Sequence, residues 1–516
     1  MPSTATVPQT GFFGHPRGLA TLFGTEMWER FSYYGMRAIL LFYMYDQVSE
    51  GGLGMPQPLA AALVSVYGAS IYLSAIAGGW VADRLIGPRH TVLYGGALIM
   101  CGHVSLALPL GRPALYASMA FLVVGTGLLK PNISQSVGAL YPADDRRRDA
   151  GYSIFYMGIS VGAVLSPFVV GTLGQRIGYH VGFGVAAVGM LIGLLQYVRG
   201  WKYLGDVGLR PANPIREEPA GRRRLGLIGT ALAVMVLVVA VLALSGWLSI
   251  EGVVDALSVL AVVVPLAYFV AMLRSPKVSP PERARVWAFV PLFVASACFW
   301  LVQEQGYSVL ATYADTRVAL DAFGVPLASS WFQSVGSFVL IVLTPAFAVL
   351  WTRLGDRVST PQKFAAGLTL AGMSYLLLVV PATAWGTSVP VGPLWLVASL
   401  AVVTVGEMCL SPIGMSATTR HAPAAFRSQT MGLWLASNAA GQGISAQIVQ
   451  LYRPDTEATY FSLIGLAAIV LAAVLLALAP LLTRTLRRAD AGPAQDEDQD
   501  ENADTGGQLQ TRFRSP

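Results

Sequence analysis

Apolar runs of about 20 residues recur almost from end to end of this chain, separated by short polar turns, and each is long enough to cross roughly 30 Å of hydrocarbon as a helix. No other feature limits the fold so strongly. In lipid every backbone N–H and C=O must find its partner inside the protein, so the choice lies between helices and closed barrels. The runs are continuous, as in YSIFYMGISVGAVLSPFVVGTL, and lack the alternation over about ten residues that barrel strands show. The chain therefore reads as an all-α membrane protein. Composition agrees: 54% of the 516 residues are hydrophobic and 12% charged, with a mean hydropathy of +0.57, whereas a soluble domain is about one-quarter charged.

Fourteen candidate spans begin near Leu19, Leu59, Thr91, Ala114, Tyr152, Gly182, Leu225, Val253, Trp287, Ser330, Phe364, Leu394, Met431 and Phe461. Alternate loops are basic: Arg84 and Arg89, then DDRRRD, then Lys202 with Arg222 to Arg224, and onward to Arg484, Arg487 and Arg488. Opposite loops such as YDQVSEGGLGMPQP and ATAWGTSVPVGP carry no Lys or Arg. The positive-inside rule places the basic set, and with it both termini, in the cytoplasm of an inner (plasma) membrane protein. The opening MPSTATVPQTGFFGHPRG lacks the basic start and apolar core of a cleavable signal, so the first span is expected to insert uncleaved.

The longest polar interruption follows the sixth span, which divides the chain into an N-terminal six-helix bundle (1–200), a cytoplasmic linker (201–224), an accessory two-helix hairpin (225–275), a C-terminal six-helix bundle (283–485) and an acidic tail (489–516). The hairpin sequences LGLIGTALAVMVLVVAVLALSGWL and VVDALSVLAVVVPLAYFVAML are nearly pure aliphatic and read as facing lipid. The tail has no apolar periodicity and reads as disordered. Several function classes drop out. Cys101, Cys298 and Cys409 lie in apolar runs without metal-ligand spacing, so neither a disulfide frame nor a metal site is expected. The net charge of +6 resides in loops and forms no aromatic-interleaved patch, so no nucleic-acid partner is expected. Neither HExxH nor a nucleophile elbow occurs, which argues against an enzyme.

The first span, TEMWERFSYYGMRAIL, carries four charges inside its apolar sequence. Glu26, Arg30, Tyr33 and Arg37 share one helix face, with Glu29 set beside it. Charges near a bilayer centre each cost about 2.5–3.5 kcal/mol and mark ion or substrate paths. Lys130 in GTGLLKPN, Glu304 in FWLVQEQG and Glu407 in VVTVGEMCLSP supply further charges of both signs, with Pro131 and Pro412 as helix breaks nearby. Each half thus brings a buried charge and a break to mid-membrane, an arrangement that suits a shared central cavity.

EMWER followed by FSYYG matches an ExxER(F)xYYG signature, and GGWVADRLIG, GTGLLKPN, DRRRDAGYSIFYMGI, FWLVQEQG, SWFQS and GEMCLSPIG accompany it. In these motifs the chain resembles the proton-dependent oligopeptide transporters of the major facilitator superfamily, from about Phe12 to Arg488. The resemblance implies a major facilitator fold of two six-helix bundles plus the hairpin, 14 transmembrane helices in all, working as a proton-coupled symporter that imports di- and tripeptides by alternating access. Its partners would be small peptides, protons and the lipid bilayer; protons would be the coupling ion, with no other cofactor.

By the same resemblance Glu26, Glu29 and Arg30 couple proton binding to substrate, with Lys130 near enough to exchange salt bridges with the glutamates. Arg37 and Lys130 hold the peptide carboxylate and Glu407 its amino terminus. Tyr33, Tyr34 and Tyr72 line the pocket, Trp300 and Trp434 bound side-chain space, and Glu304 is a second titrating site that pairs with Arg37 in one state. Two positions depart from the family: Ser160 stands where FYxxINxG has Asn, and Gly336 and Ser337 replace the Asn-Pro that follows WFQS. Asn offers a donor and an acceptor at greater reach than Ser, and Gly offers no side chain. A proton-coupled carrier of another small solute, such as nitrate, a drug or a peptide-like compound, is the alternative.

Overall fold

The computed structural model describes residues 10–491 apart from 143–144, 146, 212–213, 216–222, 224–225, 228–229, 231–240, 242–248, 322–323, 325 and 424–425. The seventh expected span, much of the linker and nearly all of the acidic tail lie outside the described residues. The N-terminal half contains α1 (Arg17–Tyr45), α2 (Gln57–Val81), α3 (Pro88–Ala107), α4 (Arg112–Ala139), α5 (Arg147–Ser166) and α6 (Tyr179–Gly200). A π-helical turn, Pro167–Gly171, and a last turn, Thr172–Arg176, prolong α5. Next come α7 (Ile250–Arg274), α8 (Pro280–Glu304), the short α9 (Val309–Thr316), α10 (Gln333–Leu354), α11 (Thr360–Trp385), α12 (Pro393–His421), α13 (Arg427–Ile448) and α14 (Glu457–Ala491).

Eleven helices among the described residues are long and apolar enough to cross a membrane. The two other long helices, α1 and α13, fall short for visible reasons. Four charged side chains crowd the middle of α1, and α13 is rich in Ser, Gln, Asn and Gly. Both are nonetheless enclosed by their neighbours, so protein and not lipid receives their polar faces.

Helix starts follow local chemistry. Proline occupies the first turn of α2, α3, α4, α8, α11 and α12, where its missing N–H costs no hydrogen bond. Capping boxes open α8 and α11: the Ser279 N–H donates to Glu282 Oε2 (2.9 Å) and the Ser359 N–H to Gln362 Oε1 (2.8 Å). Glycine sets the helix crossings. A Cβ on Gly95 (α3) or on Gly125 (α4) would come within 2.7 Å of the other glycine's carbonyl oxygen. Small residues of this kind let helices in lipid approach closely enough for dispersion to hold them.

Packing separates α1–α6 from α8–α14 as two bundles that meet along two seams, α2 against α13 and α5 against α10. The described helix of the hairpin departs from the lipid-facing expectation. Val254, Ser258, Ala261, Pro265, Phe269 and Met272 form a buried stripe along α7, recurring every three or four residues as a helix seam requires. That stripe lies against α2 and α13, across the bundle seam, and Gln447 of α13 donates to Asp255 Oδ1 (2.9 Å). The opposite face, with Val259, Leu260, Val263 and Leu266, is exposed.

Candidate functional site

A cavity of about 290 Å³ lies between the bundles, lined from the N-terminal half by Arg30, Tyr33, Tyr34, Arg37, Tyr72, Lys130, Tyr156 and Ser160, and from the C-terminal half by Trp300, Gln303, Glu304, Tyr307, Gln333, Gly336 and Glu407, among others. Its charge begins on α1. Arg30 is buried between two carboxylates: its Nε stands 3.0 Å from Glu26 Oε1 and 2.7 Å from Glu29 Oε2. Neither glutamate lines the cavity; both lie behind it, 2% and 0% exposed, and reach it through Arg30. The Arg30 guanidinium also sits over the Tyr33 and Tyr34 rings, 5.4 and 5.9 Å from their centroids.

Two turns along α1, Arg37 joins the bundles. Its Nη2 is 2.6 Å from Glu304 Oε2, both side chains being almost wholly buried. The same guanidinium lies 3.8 Å from the Tyr307 ring centroid, and Tyr307 stacks on Tyr34 at 6.4 Å and 22°. Glu304 ends α8, where the helix tightens into a single 3-10 turn, Gln305–Tyr307. Hydroxyls of Tyr375 (3.2 Å) and Tyr460 (2.8 Å), from α11 and α14, donate to Gln305 Oε1 and hold that turn.

Lys130 projects from α4 just before Pro131; the expected helix breaks do not occur, since Pro131 and Pro412 both lie inside continuous helices, α4 and α12. Pro131 has no N–H to offer the preceding turn. Next to it, Asn132 Nδ2 donates to Leu128 O (2.7 Å) and across to Gly78 O of α2 (3.1 Å), tying α4 to its neighbour. The Lys130 ammonium lies 4.6 Å from the Tyr72 ring centroid and is in no ion pair among the described residues. Facing it from α12, Glu407 accepts from Gln303 Nε2 (3.1 Å). The cavity therefore carries free basic character on the N-terminal side and a carboxylate on the C-terminal side.

One expected residue is elsewhere. Trp434 is enclosed in the C-terminal bundle, tilted against Phe289 and edge-on to Phe364, with centroids at 6.5 and 5.8 Å. Its ring fills the space over Gly414 that a Cβ would occupy. It is a packing residue in this conformation, because bundle closure around α8 and α11 gives its indole more apolar contact than the cavity offers. Conversely, Tyr156, Gln303, Tyr307 and Gln333 line the site without having been singled out. Tyr156, Gln303 and Gln333 lie within the quoted motifs DRRRDAGYSIFYMGI, FWLVQEQG and SWFQS, and Tyr307 directly follows the second of them; which of their side chains turn to the cavity depends on helix rotation.

The two ends of the molecule differ. A second cavity of about 590 Å³ shares Tyr156, Leu340 and Glu407 with the first and continues past Pro412 and Trp351 toward the basic loops. At the opposite end the bundles are joined by hydrogen bonds. Tyr45 donates to Asp315 (2.6 Å), Gln175 Nε2 to Ser329 Oγ (2.6 Å), Trp331 Nε1 to Thr172 Oγ1 (2.8 Å) and Arg176 Nη2 to Pro326 O (2.7 Å). The site is shut at one end and opens toward the other. Among the described residues, no group of three or more His, Cys, Asp or Glu could hold a metal ion.

The sequence model of the POT family matches residues 89–466. An uncharacterized transporter of Bacillus subtilis, YclF, is 50% identical over 93% of this chain and 97% of its own. A di-/tripeptide transporter of Lactococcus lactis is 43% identical, covering 90% and 95%. The crystal structure of a peptide transporter POT in complex with sulfate superposes with a TM-score of 0.91 at 53% identity, over 93% of this chain and 98% of that one. A two-bundle helical fold with charges of both signs around one central cavity is thus joined to a family match over most of the sequence, and the chain belongs to the POT family of transporters.

Proposed function

We propose that this chain is a proton-coupled symporter that imports di- and tripeptides across the inner membrane by alternating access, with its basic loops and both termini in the cytoplasm. The observation that carries the reading is the distribution of charge around the 290 Å³ cavity: Arg30, Arg37 and Lys130 from one bundle, Glu407 from the other. A zwitterionic peptide has a carboxylate and an ammonium at a separation set by its backbone, while its side chains vary. Lys130 and Arg37 receive the carboxylate and Glu407 the ammonium, so the ligand itself bridges the bundles. Occupancy and closure are then one event.

Proton coupling rests on the Glu26–Arg30–Glu29 group. With both carboxylates ionised, the Arg30 guanidinium lines the cavity but is engaged by Glu26 and Glu29 and not free for a ligand. A proton on Glu29 removes one of its two anionic partners and releases the guanidinium toward the ligand. Each inward proton draws on the membrane potential, about 2.3 kcal/mol per 100 mV. Arg37 with Glu304 acts as the latch at the closed end, and its pairing supports reading the present conformation as open on the side of the basic loops.

The test is uptake of labelled dialanine into proteoliposomes with and without an imposed pH gradient. Accumulation above equilibrium only with the gradient is the expected result; no gradient-dependent uptake of any di- or tripeptide would sink the proposal. A second reading has its own support. Ser160 and Gly336 both face the cavity, where longer amide side chains would offer donors and acceptors to a peptide backbone. Uptake of another small solute in place of dialanine would favour that reading.

A further inference from the structure

A second basic cavity, of about 680 Å³, lies far from the central one, where the start of α1 meets the end of α6 at the basic-loop end. Arg17, Arg199 and Lys202 line it, and no described acidic residue does. All three are exposed, and none is ion-paired among the described residues. Arg17 and Lys202 converge on the Tyr203 ring, at 6.0 and 5.0 Å from its centroid. Helix stability does not explain Arg17, since a cation in the first turn opposes the helix dipole. That turn also has no acidic residue and no side-chain cap.

The α6 surface identifies the environment of the cavity. Val188, Leu191, Ile192, Leu195 and Val198 are exposed and lie along one helical stripe. One turn beyond Leu195 the same stripe delivers Arg199, and the 3-10 turn Trp201–Tyr203 that follows α6 adds Lys202. An acyl-chain surface therefore runs directly into a cationic recess at the membrane edge. The far wall is Gly11 and Phe12, whose segment is pinned by a backbone exchange between Phe12 and His15 (3.2 and 2.9 Å) and by a hydrogen bond between His15 Nδ1 and the Tyr141 hydroxyl (2.9 Å). Phe13 beside it is 82% exposed.

We propose that this recess binds the headgroup of an anionic phospholipid, its phosphate between Arg17, Arg199 and Lys202 and its acyl chains along the α6 stripe. A soluble anion would use the cations and leave the apolar stripe without purpose. The acidic segment 496–504 of this chain has matching charge, but it too has no apolar surface to lay on Ile192 and Leu195.

The experiment measures phosphatidylglycerol bound to the purified full-length chain by native mass spectrometry, against phosphatidylcholine with the same acyl chains and against inorganic phosphate. Retention of phosphatidylglycerol over phosphatidylcholine is expected. Arg199→Gln with Lys202→Gln should weaken it roughly thirtyfold, at about 1 kcal/mol per basic side chain near the surface and tenfold per 1.4 kcal/mol. Arg353→Gln with Arg357→Gln removes the same charge elsewhere at that end and should change little. Equal loss in the two double variants, equal retention of both lipids, or displacement by inorganic phosphate would each overturn the site. Lipid binding that appears only after deletion of residues 492–516 would assign the recess to the tail and overturn it also. Thermal unfolding without lipid checks that both variants fold; should the α6 pair fail, Arg17→Gln alone, with a roughly fivefold loss, gives the same decision.

Discussion

Replacing Glu304 by Gln tests whether one ion pair governs the closed end of the transporter. Arg37 and Glu304 meet at 2.6 Å with side chains 4% and 9% exposed, so solvent screening discounts the interaction little. Removing one partner of such a pair costs about 3–5 kcal/mol, because the other charge is left buried. Gln still offers a carbonyl oxygen to the guanidinium, which brings the expected loss down to about 2–3 kcal/mol. That corresponds to a shift of roughly 30- to 150-fold in the equilibrium between closed and open forms of this end. Because Tyr45–Asp315, Gln175–Ser329 and Trp331–Thr172 remain, the change should appear as a redistribution of conformers and not as unfolding. Spin labels at Ile177 and Val389, both exposed and on different bundles at that end, report it by double electron–electron resonance, with Cys101, Cys298 and Cys409 replaced. Glu304→Gln should add a population at longer separation. Arg37→Leu with Glu304→Leu, which buries no orphan charge, should shift it less. A distance distribution identical to wild type in Glu304→Gln would refute the latch.

Glu29→Gln should abolish gradient-driven peptide accumulation while sparing counterflow exchange, since Arg30 then has one anionic partner whatever the pH; intact accumulation would remove Glu29 from the coupling group. Lys130→Ala should raise the KM for dipeptides with the unfolding midpoint nearly unchanged, because its ammonium is in no ion pair among the described residues, and uptake kinetics indistinguishable from wild type would count against the carboxylate role. Trp434→Ala should destabilise the C-terminal bundle by about 3–5 kcal/mol, as large-to-small changes at packed aromatics do; a change in peptide selectivity at unchanged stability would return Trp434 to the binding site.

Much of the candidate site was legible because a charge inside an apolar run has few explanations. Insertion cost alone singles out Glu26, Glu29, Arg30, Arg37, Lys130, Glu304 and Glu407, and the motifs around them name the family. Arg30, Arg37, Lys130, Glu304 and Glu407 do line one cavity, with the two α1 glutamates behind Arg30. Aromatic residues were harder to read. Trp300 reaches the cavity whereas Trp434 packs against Phe289 and Phe364, and an indole suits either place equally well by composition. The hairpin helix α7 gave a similar difficulty: its aliphatic sequence is compatible with lipid on every side, yet one stripe of it closes the seam between α2 and α13.

Sequence by itself determined that the chain is helical, that it crosses the membrane many times, and which charges needed partners, because hydrocarbon allows the backbone and the ionised side chain so few alternatives. Beyond the Arg37–Glu304 pair that the family resemblance implied, tertiary structure alone decided which partner each charge took and which end is shut. Those outcomes depend on helix rotation and bundle tilt, set by contacts between residues far apart in the chain, such as Arg37 with Glu304 and Tyr45 with Asp315, and no local pattern records them.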